Sequence, residues 1–184
     1  MIFFLLLFSR ITAQPKQSGA DTTAQKIIWY SFAQAYEMNK KEPRKLFIDV
    51  YTDWCGWCKK MDKETFTNPV ISDYMSTHYY CVKLNAEQKD TIVIDGSKFV
   101  NPNPGTARSV HQLAAELLKG KMSYPSLVFM DGKNQLLTVV QGYQPPQGLE
   151  PMLRFFGDDS YLTQKWEEFL PSFRSKLPPQ QAPK

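Results

Sequence analysis

Cys55 and Cys58 stand two residues apart in the octapeptide Trp54-Cys55-Gly56-Trp57-Cys58-Lys59-Lys60-Met61. A pair at that spacing can close a small disulfide and open it again, which is the basis of dithiol redox chemistry. The same spacing also serves a structural disulfide or one half of a zinc site. A zinc site would need two further ligands at suitable spacing. The chain has no second C-x-x-C and no H-x3–5-H pair, and His78 and His111 are its only histidines. They read as a helix-end surface residue and a helix-face residue. Covalent haem attachment requires histidine after the second cysteine, where Lys59 stands. There is no Gly-rich phosphate loop, so no cofactor is expected beyond the cysteine pair. The third cysteine, Cys81, lies in the apolar run Tyr79-Tyr80-Cys81-Val82-Lys83-Leu84 and reads as a buried free thiol.

The pair has to be held between a strand and a helix. The run Leu46-Phe47-Ile48-Asp49-Val50-Tyr51 predicts a buried strand over 46–51, and a helix should start at the cysteines and pass through Met61. Before them, Ile28, Phe32, Ala35 and Tyr36 recur at helical spacing, predicting a helix over 29–41 that ends at Glu42-Pro43. After them, Asn68-Pro69 looks like an N-cap followed by proline at the first helical position, and a strand follows at 79–85. Residues 86–106 fit neither period and read as an insertion, with a small hairpin around Asp95-Gly96. Val110, Leu113, Ala114, Leu117 and Leu118 predict a helix closed by Gly120. Strands at 126–130 and 135–140 then form a hairpin, and Leu149, Met152, Leu153 and Phe156 line another helix. A last amphipathic helix is expected within 158–176. The first two strands need a helical crossover and so run parallel, while the last two are antiparallel. The fold class is therefore α/β, a mixed central sheet flanked by helices.

The chain has 184 residues, 42% hydrophobic and 14% aromatic, which suits one globular domain with extensions. A domain of about 150 residues buries roughly 68–70% of its unfolded surface, so it needs no disulfide as a staple. The net charge of +4 comes from scattered basic residues with no aromatic-interleaved stripe, which argues against nucleic-acid binding. Ile2-Phe3-Phe4-Leu5-Leu6-Leu7-Phe8 is an apolar run too short to span a bilayer, with small Ala13 downstream. This reads as a signal peptide over 1–13, followed by a flexible leader over 14–27. A disordered tail is expected over 177–184. Export implies a periplasmic or secreted protein with no stable membrane span after processing, in a compartment where disulfides persist.

The element order, with Trp-Cys-Gly-x-Cys-Lys after the first core strand, resembles the thioredoxin superfamily across residues 28–157. Asp49, six residues before Cys55, matches the buried acid of that superfamily. Lys83-Leu84-Asn85 matches the Lys-Leu-Asn at the end of the next strand, whose lysine lies near that acid. Tyr124-Pro125 matches the cis-proline that faces the cysteines, and Gly142 a glycine after the last strand. The stretch Glu64-Thr65-Phe66-Thr67-Asn68-Pro69-Val70 is similar to exported Bacteroidetes-type thioredoxin-like proteins and to the C-terminal domain of thiol–disulfide interchange proteins. Two features depart from thioredoxins: Trp57 replaces the proline between the cysteines, and the insertion is extra.

The resemblance implies a thioredoxin fold and thiol–disulfide exchange, with catalytic roles for Cys55, Cys58, Asp49 and Lys83. Cys55, exposed at a helix N-terminus, would be the nucleophile, and Cys58 would resolve the mixed disulfide. Burial should raise the Asp49 pKa and make it a proton acceptor for Cys58. Gly56 would allow a tight turn and leave room for substrate. Trp54, Trp57, Tyr124 and Pro125 would bind an extended substrate segment. The partners implied are protein disulfides and an upstream thiol electron donor. The competing expectation is a thioredoxin-fold binding module whose disulfide is stable.

Overall fold

The computed structural model describes residues 25–179. The signal-peptide reading, most of the leader and residues 180–184 of the tail fall outside that range. The described chain runs β1 (Trp29–Tyr30), α1 (Phe32–Lys41), β2 (Lys45–Tyr51), α2 (Gly56–Glu64), α3 (Pro69–His78) and β3 (Tyr79–Asn85). It continues with β4 (Ile92–Ile94), β5 (Ser97–Phe99), α4 (Gln112–Leu117), β6 (Ser126–Met130), β7 (Leu136–Gln141), α5 (Pro146–Gly157) and α6 (Trp166–Ser172). Five strands form one sheet in the order β1-β3-β2-β6-β7. β2 lies at its centre, parallel to β3 and antiparallel to β6. β4 and β5 form a separate hairpin.

Alternation along β2 divides the core. Leu46, Ile48 and Val50 face one cluster with Phe32 and Ala35 of α1 and Leu113, Ala114 and Leu117 of α4. Phe47 faces the other, with Met61 of α2, Ile71, Tyr74 and Met75 of α3, and Leu149 and Leu153 of α5. Asp49 has the parity of Phe47, so its carboxylate is buried on the face that α2 covers. Each fully buried large side chain contributes about 1.5–3 kcal/mol relative to exposure. A buried acid here has to be explained by what it touches.

The structure departs from the expected elements in four places. The first helix begins at Phe32 and not at 29. Ser31 closes a capping box, its Oγ accepting the Gln34 N–H while Gln34 Oε1 accepts the Ser31 N–H. Trp29 and Tyr30 instead pair in parallel with Cys81 and Val82, and Ile28 is left exposed. The end of the expected flexible leader is anchored: Ile27 is buried in the α2-side core and the Gln25 N–H donates to Asp73 Oδ1 at 2.6 Å.

The helix expected from Val110 starts at Gln112, because the His111 side chain caps it. The single C-terminal helix expected within 158–176 is broken. Asp159 adopts φ +59°, in the left-handed region, and a 3-10 turn at Ser160–Leu162 separates α5 from α6. Aromatic packing of Phe155 with Trp166 and Phe169 holds α6 against α5. The segment beyond is strapped down by Glu150, which is buried and accepts hydrogen bonds from Ser175 Oγ and the Lys176 N–H.

Candidate active site

β2 ends at Tyr51, and a turn closed by the Cys55 N–H donating to Thr52 O leads into α2. Cys55 is the N-cap of α2, in a disulfide with Cys58 one turn on, their Cα atoms 5.3 Å apart. Cys55 Sγ accepts the Cys58 backbone N–H at 3.1 Å. In a reduced chain that N–H and the positive end of the helix would stabilise a thiolate at Cys55. The expectation of an exposed Cys55 needs correcting, since it is 4% exposed and Cys58 1%. The disulfide folds the Cys55 sulfur back over its own helix. Gly56 also differs from its expected turn role. It is the first residue of α2, its φ is not positive, and a Cβ there would meet nothing within 4 Å. What remains of the expectation is the open space where a side chain would stand.

Asp49 is fully buried, and Lys83 on the neighbouring strand sits directly across from it in register. Lys83 Nζ lies 2.5 Å from Asp49 Oδ2. The other Asp49 oxygen has no hydrogen-bond partner among the described residues. Burial pushes the Asp49 pKa up to about 6, against the pull of Lys83. The ammonium also bonds Asp62 and stands about 5 Å from the centres of the Trp29, Tyr51 and Phe66 rings. Asp62 was missed from the sequence. It is four residues after Cys58, on the same face of α2, and that spacing is the signal that could have found it.

The Tyr124-Pro125 peptide is cis, and Pro125 O accepts the N–H of Gly142, which has φ +89°. Two aromatic walls flank the disulfide. In one, Trp54 packs edge-on against Tyr124 with ring centres 5.9 Å apart, and its indole N–H donates to Glu87 Oε1 at 3.0 Å. Asn85 Nδ2 donates to Asp53 nearby. In the other, Trp57 packs on Tyr143 at 5.4 Å, with Lys60 Nζ over both rings and the Tyr143 hydroxyl donating to Glu64. Trp54 and Trp57 are both more than half exposed. Glu87, Lys60 and Tyr143 carried no motif that would have selected them.

The histidines lie away from the cysteines. His78 closes α3, stacked on Tyr74. His111 is fully buried and not on a helix face, because its ring is spent on capping α4 and on Asp90 O. Among the described residues no cluster of His, Cys, Asp or Glu could hold a metal ion.

A sequence model of the thioredoxin-like domain matches residues 32–157, which takes in the whole of this site. The chain belongs to that family. Disulfide bond reductase DsbH of Chlamydia pneumoniae is 24% identical over 140 residues, 76% of each chain. Thiol:disulfide interchange protein DsbD of Escherichia coli is 24% identical over 141 residues, 71% of this chain and 21% of that protein. Spermatogenesis-associated protein 20 of Mus musculus is 31% identical over 67 residues, 36% of this chain, which therefore spans only 8% of that protein's length. Among solved structures, one described as DsbH Oxidoreductase superposes with a TM-score of 0.54 at 20% identity, covering 78% of this chain and 92% of that one. This last likeness establishes the shared fold.

Proposed function

We propose that the chain is a thiol–disulfide oxidoreductase acting on protein disulfides outside the cytoplasm. The observation that carries the reading is Cys55 at the N-cap of α2, bonded to Cys58, with a buried acid on the face that α2 covers. In the reducing direction the Cys55 thiolate attacks one sulfur of a substrate disulfide. That S–S bond breaks, the departing sulfur leaves as thiolate and takes a proton, and a mixed disulfide joins Cys55 to the substrate. Cys58 then gives its proton to the Asp49 carboxylate and attacks Cys55 Sγ. The second substrate thiolate is released and the Cys55–Cys58 disulfide forms, two electrons having passed to the substrate. Lys83 holds Asp49 in place, and a thiol donor restores the dithiol.

Reduction or electron relay is favoured over oxidation, supported by the buried Asp49–Lys83 pair and by the reductase name of the DsbH relative. Export is supported by the apolar run Ile2–Phe8 with Ala13 after it. No helix among the described residues is long and apolar enough to cross a membrane. Substrate would lie between Trp54 and Trp57, its backbone pairing with Tyr124 beside Pro125. The test is insulin reduction with dithiothreitol. The wild type should accelerate it and Cys55→Ser should not; equal rates would sink the reading.

The near-complete burial of Cys55 and Cys58 favours one second reading, a binding module with a stable disulfide. A reduction potential below about −300 mV for the couple would select it, since such disulfides resist cellular thiols.

A further inference from the structure

The insertion between β3 and α4 is a built structure, pinned by buried polar groups. Asn101, buried, donates through Nδ2 to Ser109 O at 2.8 Å and Gln88 O at 3.2 Å, while its Oδ1 accepts from Ser109 Oγ. The His111 backbone N–H donates to Ala86 O at 2.8 Å, and its Nε2 lies 3.1 Å from Asp90 O. Burial holds the His111 pKa down, in keeping with a neutral ring that donates there. At the far side, the hairpin tip is tied to α1 by Tyr36 and Lys40, which both bond Asp95. None of these groups reaches the cysteines. Their common effect is to fix where the remaining residues of the insertion sit.

One of those residues meets the site. Arg108 places its guanidinium 5.8 Å from the centre of the Trp54 ring. It does so from φ +63°, a left-handed backbone that non-glycine residues rarely adopt. Among the described residues Arg108 has no carboxylate within ion-pairing distance. The opposite wall differs, because Lys60 is already matched by Glu64 at 3.8 Å. The wall beside Cys55 thus carries an uncommitted planar cation over an exposed indole.

We propose that Arg108 is a specificity-determining residue, selecting partner disulfides that carry a carboxylate close to the reacting cysteine. The inference rests on the exchange reading above and adds the substrate class. A segment paired with Tyr124 would pass Trp54, which contacts Tyr124. An Asp or Glu on it would meet five guanidinium donors in a fork that suits a carboxylate. Other charges face the same place. Glu87 bonds the indole N–H, at the edge of the ring, and Asp53 is held by Asn85. Both repel an acidic side chain from the indole edge, which leaves the ring face that Arg108 covers as the place where it can be held.

The test uses two disulfide-linked reporter peptides, identical except for Glu or Lys two residues from the cysteine. Both are reduced by the prereduced full-length protein, and the readout is the Glu-to-Lys ratio of kcat/KM. The wild type should favour the Glu peptide by about 5- to 10-fold at low ionic strength. Arg108→Glu should invert the preference, Arg108→Lys should keep part of it, and Glu87→Gln should enlarge it. The wild-type ratio should collapse towards one in about 1 M salt, where screening acts beyond roughly 3 Å. This arm needs no variant to fold. A wild-type ratio within twofold of one, or the same ratio in Arg108→Glu, would overturn the proposal and leave exchange standing. Reduction of neither peptide would remove the exchange reading and this proposal together.

Discussion

Asp49 is the residue on which the proposed chemistry and the stability of this chain meet. Buried against the pull of Lys83, it holds its proton up to about pH 6, well above its unfolded value of 3.8. Between those values the folded chain carries a proton that the unfolded chain has released. Stability therefore falls as pH rises through the window, by about 3 kcal/mol in total, and is level above it. Asn at this position cannot titrate. Urea unfolding of the wild type and Asp49→Asn at steps from pH 4 to 7 should show the wild type losing ground to the variant as pH rises. A constant difference would mean that Lys83 keeps the carboxylate ionised throughout. The same carboxylate would accept the Cys58 proton more readily once ionised, so activity should gain above pH 6 where stability is lost.

At the scale of elements, what could be read in advance was whatever rests on local period or local chemistry. β2, β3 and α3 stand where apolar runs and the Asn68-Pro69 cap placed them. The C-x-x-C spacing paired Cys55 with Cys58 on paper, and the resemblance to thioredoxins set Asp49 behind them. Trp29 and Tyr30 could not be read this way, because their strand exists only through pairing with β3, 52 residues later. Burial of Cys55 and the approach of Arg108 to Trp54 also depend on tertiary placement and leave no trace in spacing. Gly157 is another such case. Nothing in the sequence marks it, yet at the end of α5 a Cβ would lie 2.9 Å from carbon atoms of the Tyr74 ring. That ring cannot yield easily: it bonds Asp158, stacks on His78 and lies under Arg154 at 3.8 Å. Gly157→Ala should cost about 1–3 kcal/mol by urea unfolding, as overpacking does. The increment should shrink in a Tyr74→Phe background, where one clashing atom is gone.

Over the whole molecule, the match to the thioredoxin-like domain ends at residue 157, and the chain beyond it packs back on the body through few points. Tyr74 and Lys45 hold Asp158 and Asp159 at its start, and Glu150, buried, accepts from Ser175 and Lys176 near its end. Glu150→Ala would leave the Lys176 N–H without that partner. Amide exchange should then quicken across 166–176 by about tenfold or more while β2 and β3 keep their protection, and trypsin should cut sooner after Arg174 and Lys176. Unchanged protection would show that the aromatic contacts of α6 suffice alone.

Cys81 lies at the other extreme of accessibility. It is 1% exposed on β3, next to the strand that carries the buried acid, and burial pushes its thiol well above the usual range. A sulfur that is neither ionised nor reachable cannot intercept a mixed disulfide held at Cys55. The folded chain is in that respect a closed two-electron circuit. On the proposed mechanism an intermediate on Cys55 would be released by Cys58 or by an outside thiol, and no internal shunt would lead it to a third sulfur and a dead end.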